Sequence, residues 1–289
     1  MLSADQRQAY HRDGYLTLPG FTSAESRAAV QARARALVEA FDPADGASRF
    51  STRDRSLVAD ERLIASADAV HCFFEEEALD EAGRLRVPKA QSINKIGHAL
   101  HDRDPVFEAF SHGPALAAVA ADLGLAQPLV WQSQVIFKQP RIGGEVGWHQ
   151  DASFFVTTPQ TVTTFWFALE DATLDNGCLW VEPGGHRGPL REQYVRERTS
   201  GGGERDRDRD RDRLRMVALD DTPWPGPGRA VPLPVSAGTL VVFHGLLPHY
   251  SAPNRSAVSR MAYTLHVTDG TATYAAENWL QRTGVRGLA

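Results

Sequence analysis

Cysteine and lysine are the scarce residues of this chain. Only two of its 289 residues are cysteine, Cys72 and Cys178. They cannot build a disulfide framework or a CxxC zinc site, so the chain reads as intracellular, with reduced thiols. Lysine occurs only at Lys89, Lys95 and Lys138. Bases are outnumbered by acids, 31 to 36, for a formal net charge of −5, which argues against a dedicated nucleic-acid binder. No apolar run approaches the roughly 18 residues of a membrane span. The opening MLSADQRQAYHRDGY lacks the apolar stretch of a signal peptide, and the expected location is the cytoplasm. P-loop, GxGxxG and GxSxG motifs are all missing, so nucleotide cradling and a serine-hydrolase elbow have no support.

What is present separates into two textures. The first, about residues 1–125, reads as helical. Thr22 and Glu25 form a T-x-x-E capping box, and Val30, Ala34, Leu37, Val38 and Phe41 follow on one helical face. Pro114 suits a first helical position, with Leu116, Val119 and Leu123 on the buried side and Gly124 as the stop. From about residue 128 to 285, short β-rich runs alternate with turn residues: 129–138, 161–169, 178–182, 239–243 and 261–267, with Asn176-Gly177 as a hairpin signal. Short strands without βαβ alternation predict an antiparallel sandwich or barrel. No Gly/Ser/Pro linker divides the two parts, so residues 1–289 are expected to form one mainly β domain with N-terminal helices (α+β). Residues 200–215 stand apart: Ser200 and three glycines lead into Glu204–Arg215, where six arginines interleave with five acids. A solvated insert is expected there, since the alternating aspartates would oppose a phosphate backbone.

The chemistry is expected from a few of the ten histidines. In GGEVGWHQD, residues two apart on a strand share a face, so His149 and Asp151 would sit side by side. That is two thirds of the 2-His-1-carboxylate triad that binds Fe(II) with positions left open. Alone, H-x-D is a weak signal that a structural His–Asp pair also explains. TLVVFHGLLPHYS adds His244 and His249 as candidate third ligands, and Arg260 stands eleven residues beyond His249. An arginine there can grip a carboxylate through two parallel hydrogen bonds, a geometry lysine cannot match. With no thiolate to spare, such a site is N/O-ligated.

Longer segments carry a family resemblance. SINKIGHALHDRDPVF (92–107), IFKQP (136–140), GGEV with HQDASF (143–154), EDATLDNGCLW (170–180) and ENWLQ (277–281) resemble the phytanoyl-CoA dioxygenase family of Fe(II)/2-oxoglutarate oxygenases. The resemblance implies a double-stranded β-helix (jelly-roll, cupin-like) core. It implies His149, Asp151 and His249 as the metal ligands and catalytic centre, and Arg260 as partner of the distal 2-oxoglutarate carboxylate. It places Lys95, Gln134, Trp166 and Ser251 in the cosubstrate pocket. Fe(II), 2-oxoglutarate and O2 are then the expected cofactors, and hydroxylation of a small-molecule, lipid-like or CoA-linked substrate the expected reaction. Trp148 departs from the family, which has proline before the ligand histidine; an indole there is expected to reshape the substrate pocket. Gln134 stands where methionine is usual.

Several residues receive plainer readings. His244 is expected to be structural or to support a ligand from behind, and His186 to sit on the lip of the core. His98 and His101 are expected to pack rather than to form a helical metal pair. His11, His71, His112 and His266, lacking acidic or histidine partners at ligand spacing, are assigned structural roles. Cys178 is expected to be a buried, inert thiol. Two other functions stay open at this point: a cupin-type metal isomerase or dioxygenase that does not use 2-oxoglutarate, and a binding protein with a vestigial site. The sequence sets no oligomeric state.

Overall fold

The computed structural model describes residues 1–42, 49–50, 60–198, 212–226 and 228–289. Six α-helices are described: α1 Ala4–Asp13, α2 Ala24–Ala40, α3 Asp60–Ala65, α4 Leu100–Arg103, α5 Pro105–Ser111 and α6 Pro114–Asp122. The described strands, in chain order, are β1 Tyr15–Leu18, β2 Arg49–Phe50, β3 Val70–Glu75, β4 Ile93–His98, β5 Pro128–Lys138, β6 Val146–His149, β7 Thr157–Thr158, β8 Thr163–Ala168, β9 Leu179–Val181, β10 Glu192–Arg198, β11 Asp212–Ala218, β12 Val231–Leu233, β13 Leu240–His244, β14 His249–Ser251, β15 Arg260–Asp269, β16 Thr273–Tyr274 and β17 Arg286–Gly287. None of the described helices is long and apolar enough to cross a membrane.

Two sheets face one another. The larger runs β1-β13-β8-β15-β5-β4-β3-β2, with β17 also on β5; the smaller runs β12-β9-β14-β6. All the pairs are antiparallel except β2 with β3. This is the jelly-roll arrangement expected of the second half of the chain. The central strands of the large sheet are apolar on both faces. On one face Phe165, Phe167, Val242, Tyr263, Leu265 and Val135 pack against Val30, Ala34 and Val38 of α2, Phe107 of α5, and Leu116 and Val119 of α6. On the other, Trp166, Ala168, Val241, Phe243 and Ala262 meet Leu179 and Val181 of the small sheet. Period-2 alternation thus sends one set of side chains to the helices and the next into the space between the sheets.

The helix starts differ in detail from the sequence expectation. The α2 N-cap is Ser23, one residue past Thr22, and its hydroxyl accepts from the Ser26 amide at 3.1 Å. Thr22 instead approaches the Gly238 carbonyl at 3.4 Å, tying the helix entry to the core. A capping box does occur, but at Ser3–Gln6. The α6 boundaries agree with the pattern, and Gly124 ends that helix at φ 94°. The segment expected to be helical also contributes β1 to β4. Those strands are short, and β3 and β4 are mostly buried, so their apolar runs show no helical period.

Asn176-Gly177 is a turn but not a hairpin. The Asn176 side chain accepts from the Thr173 amide at 2.7 Å and donates to the Asp171 carbonyl at 2.9 Å. Gly177 follows at φ 86°. The chain then leaves the large sheet at β8 and enters the small one at β9, so the flanking strands never pair. Of the insert expected at 200–215, most lies outside the described residues. Asp212–Arg215, however, belong to β11 and pair with β10, with Arg196 and Asp212 forming an ion pair across the ladder.

One lysine fastens the two sheets at the end nearest the site. Lys138 is almost fully buried, and its Nζ donates to the carbonyls of Gly144 (2.6 Å), Ser251 (3.1 Å) and Ala252 (2.7 Å). Burial pushes its pKa well below the ordinary lysine value. Replacing Lys138 with Met would leave three buried carbonyls without this donor. Lys138→Met should lower the unfolding free energy by about 2–4 kcal/mol, read from the denaturant midpoint. An unchanged midpoint would show that the ammonium does not hold the sheets together.

Candidate metal and cosubstrate site

His149 ends β6, and His249 opens β14, directly opposite it in the antiparallel register. Their rings lie 4.0 Å apart, centroid to centroid. Asp151 is not on the strand. It begins a short 3-10 turn after Gln150, whose backbone is still extended (φ −122°, ψ 131°). The extended Gln150 keeps His149 and Asp151 on one side and sends its own amide the other way. That amide donates to the Pro189 and Leu246 carbonyls, both at 2.9 Å, and accepts from the Arg191 amide at 2.9 Å.

Hydrogen bonds decide which ligand atoms face one another. Nδ1 of His149 lies 2.8 Å from the Gly147 carbonyl, and Nδ1 of His249 lies 3.0 Å from the Leu247 carbonyl. A carbonyl only accepts, so each Nδ1 carries the proton and each Nε2 presents a lone pair. Oδ2 of Asp151 accepts from the Thr164 hydroxyl at 2.5 Å and lies 3.5 Å from Nε2 of His266. Oδ1 is left facing Nε2 of His149 at 3.6 Å and Nε2 of His249 at 3.7 Å. Burial alone would raise the Asp151 carboxyl, but the attraction of His249, His266 and His149 in their charged forms, with a hydrogen bond from His266, outweighs it and holds the pKa far below the usual range. Two imidazole lone pairs and one carboxylate oxygen therefore converge, within 4.8 Å of one another, in a set able to hold a metal ion. The N/O donors fit a divalent first-row metal.

These ligands open onto a cavity of about 180 Å³ between the sheets. Arg260, the first residue of β15, is buried in its wall, 2% exposed. Its Nε donates to the Gly177 carbonyl at 3.2 Å and its Nη2 to the Ser251 hydroxyl at 3.3 Å, while the guanidinium lies 5.6 Å above the Trp166 ring. Nη1 is buried without a hydrogen-bond partner. No carboxylate among the described residues forms an ion pair with it. Burial lowers its pKa to about 10, so the group stays charged at neutral pH. Gln134 Oε1 and Thr264 Oγ1 line the same cavity and are also buried without partners. Lys95 lines it too; burial lowers its pKa to about 7 against the opposing pull of Glu75 and Asp151.

All eight residues singled out in the sequence therefore border one cavity. Trp148 does not: it stacks on Tyr250 at 5.4 Å, on the side of β6 opposite His149. His244 and His186 also lie away from it, packed together at 5.4 Å. The His244 Nδ1 accepts from the Leu246 amide, and burial lowers its pKa to about 4. His101 is buried on Ser133 and Arg282, whereas His98, from the same sequence pair, reaches the cavity. Cys178 is fully buried, with its thiol pKa raised by burial.

Three residues of consequence were missed. His266 and Thr164 hold Asp151, and Thr264 borders the cavity. Counting by twos from Arg260 along β15 gives Ala262, Thr264 and His266, and counting back from Trp166 on β8 gives Thr164. Strand periodicity alone could have found all three.

Comparisons with known proteins give the family of this chain. The phytanoyl-CoA dioxygenase (PhyH) family model matches residues 10–262. The chain is 42% identical to "Phytanoyl-CoA dioxygenase 1" of Oryza sativa subsp. japonica over 282 residues, covering 97% of this chain and 94% of that one. It is 41% identical to "Phytanoyl-CoA dioxygenase domain-containing protein 1" of Bos taurus over 289 residues, covering 98% and 96%. Among solved structures, the epimerase SnoN in complex with Fe3+, alpha ketoglutarate and nogalamycin RO superposes with a TM-score of 0.62. It shares 19% identity over 97% of this chain and 90% of that one, a likeness of fold.

Thr164→Val keeps the shape of the side chain and removes its hydrogen bond to Asp151. Metal affinity should fall about 10- to 100-fold, measured by competition with a chelating dye. An unchanged affinity would mean that Asp151 needs no such support.

Proposed function

The chain belongs to the phytanoyl-CoA dioxygenase family, and from that premise we propose a dioxygenase that oxidises a C–H bond of a small molecule while converting 2-oxoglutarate to succinate and CO2. The observation that carries the proposal is the pairing, in one cavity, of the His149–Asp151–His249 donors with the buried, acid-free guanidinium of Arg260. A cupin-type metal enzyme that uses no 2-oxoglutarate has no need of that guanidinium.

His149, Asp151 and His249 would hold Fe(II), with one carboxylate and two imidazoles leaving positions open for other ligands. Bound there, the iron would couple O2 to the oxidative decarboxylation of 2-oxoglutarate and to oxidation of the substrate. Arg260 would take the distal carboxylate of the cosubstrate, with Ser251 and Gly177 holding the guanidinium in place: the Ser251 hydroxyl accepts from Nη2 and donates at 2.9 Å to the Gly177 carbonyl, which also accepts from Nε. A dicarboxylate would satisfy Nη1 and neutralise the buried charge. Trp166 shields that ion pair from water, which strengthens it. Lys95 and Gln134 would line the remaining length of the cosubstrate. Phe154, Tyr194 and Trp279 border the rest of the cavity and would exclude water around the reacting C–H bond.

Hydroxylation is the outcome we propose, with a neutral or lipid-like small molecule as substrate. Among the described residues lining the cavity, the lysine and arginine side chains are Lys95 and Arg260, which form no basic cluster to grip the phosphates of a CoA tail. Residues 1–289 would act as one catalytic domain, since the helices of the first part back the same large sheet that carries Arg260.

Purified protein supplied with Fe(II), ascorbate, O2 and 2-oxoglutarate should release succinate, even without its primary substrate, and His149→Ala or Asp151→Ala should abolish the release. Undiminished succinate from either variant would refute the ligand assignment. Arg260→Lys should raise the KM for 2-oxoglutarate about 10- to 100-fold, with metal affinity within about twofold of wild type by the rule for sites that share no partner. An unchanged KM would place the carboxylate elsewhere.

The cosubstrate should also bind more weakly as pH rises. The Lys95 ammonium titrates near 7 and is present below that value. An anion bound beside it favours the charged form, so 2-oxoglutarate affinity should decline above pH 7 and the decline should vanish in Lys95→Met. A wild-type affinity independent of pH between 6 and 8.5 would remove Lys95 from the pocket's chemistry.

A further inference from the structure

The cavity carries a second polar feature, His98. His98 closes β4, is 2% exposed and lines the cavity. Its ring is held on three sides. Phe73 lies 5.5 Å away, tilted, and Trp279 lies 5.3 Å away, edge-on. The third contact is the Ser66 hydroxyl, 2.7 Å from Nδ1.

Proton counting fixes the tautomer. The Ser66 Oγ lies 2.6 Å from the Leu63 carbonyl, which can only accept, so the single hydroxyl proton is given to that carbonyl. The Ser66 oxygen is then an acceptor toward His98, and Nδ1 must carry the ring proton. Nε2 is left as a lone pair, since the side-chain hydrogen bond of His98 among the described residues is made by Nδ1. Burial, with Lys95, His266 and His71 nearby, pushes the His98 pKa well below its ordinary value, so the lone pair persists at neutral pH.

A complementary donor borders the same cavity. The Gln132 side-chain carbonyl accepts from the Gln134 amide at 2.6 Å, which turns the Gln132 amide nitrogen away from that bond. The remaining walls on this side, Leu63, Phe154, Tyr194 and Trp279, are aromatic or aliphatic.

We propose that His98 is a specificity-determining residue: its Nε2 accepts a hydrogen bond from a hydroxyl carried by an otherwise apolar, neutral substrate. Gln132 can donate to the oxygen of the same hydroxyl, and the aromatic walls cover the apolar body. A substrate lacking the hydroxyl would strand a buried acceptor, which makes the site reject it more strongly than the hydrogen bond itself attracts. Ser66 is the positioning residue, because its hydroxyl alone dictates which His98 nitrogen faces the cavity. The inference rests on the dioxygenase reading of this cavity but concerns the substrate's side of it.

The test uses a matched pair of probes, 2-naphthol and 2-methoxynaphthalene, titrated into protein loaded anaerobically with Fe(II) and 2-oxoglutarate. Binding is followed by tryptophan fluorescence. Wild type should favour 2-naphthol about fivefold or more, the size expected of one neutral hydrogen bond. His98→Phe should erase the preference while still binding the ether. His98→Gln, which restores an acceptor, should recover part of it. In ¹⁵N spectra of metal-free protein, the His98 ring should show the proton on Nδ1, and Ser66→Ala should relax that tautomer. Equal affinities for the two probes in wild type, binding of neither, or a proton on Nε2 would overturn the proposal. Succinate release without a primary substrate reports on the dioxygenase reading separately, so failure of that reading and failure of the His98 assignment give different results.

Discussion

A guanidinium buried without a carboxylate is the constraint around which this molecule is built. Taking a cation out of water costs several kcal/mol or more unless charge and hydrogen bonds offset it. Arg260 receives only partial compensation from the protein: a carbonyl, a hydroxyl and the face of an indole. Each of those groups is placed by a different element. Gly177 belongs to the crossover from the large sheet to the small one, Ser251 ends β14, and Trp166 sits on β8. A side chain at Gly177 would put a Cβ 2.6 Å from the Ala252 carbonyl, so the crossover is tight enough there to require glycine. Lys138, the register partner of Arg260, fixes the neighbouring carbonyls and stops the two sheets from parting. The charge that remains unmatched is the one the proposed cosubstrate carboxylate would neutralise.

The metal donors obey a related logic. Every proton on the two ligand imidazoles is committed to a backbone carbonyl, and one oxygen of Asp151 is committed to Thr164 and His266. What is left over points inward. Both ends of the site are thus preorganised by neighbours that never touch the reacting atoms, which is the arrangement that keeps catalytic geometry within a few tenths of an ångström. Between the two ends, the cavity walls turn from polar to aromatic, and His98 stands on the aromatic side as an isolated acceptor.

Much of this was legible in the sequence, for identifiable reasons. The β runs of the second half announce themselves as short β-rich stretches between turn residues, whose number and lack of intervening helices point to an antiparallel sandwich or barrel; the jelly roll itself is what the family resemblance implies. H-x-D stood out because the side-chain period of extended chain is two, and it survives here even though β6 stops at His149 and Asp151 lies in a turn. The Asn-Gly signal correctly marked a turn but could not tell a hairpin from a crossover between sheets, since that depends on which strands pair. Trp148 was misjudged by adjacency: it neighbours a ligand in sequence, but alternation aims it at Tyr250. His266 and His98 were read as structural because ligand spacing was sought only along the chain. His266 meets Asp151 across the sheet, and His98 meets Ser66 from another segment. The strands of the first part escaped notice because they are short and lie between helices, leaving no long run of one period to read.

The central claim is that one cavity holds a metal on His149, Asp151 and His249 and a 2-oxoglutarate whose far carboxylate lies on Arg260. An anaerobic titration tests it most directly. Fe(II) is added to the protein, then 2-oxoglutarate, while the weak visible charge-transfer band of a keto-acid chelate is followed. The account predicts a band that saturates at one metal and one 2-oxoglutarate per chain and that requires both. Absence of the band from iron-loaded protein at saturating 2-oxoglutarate would contradict it.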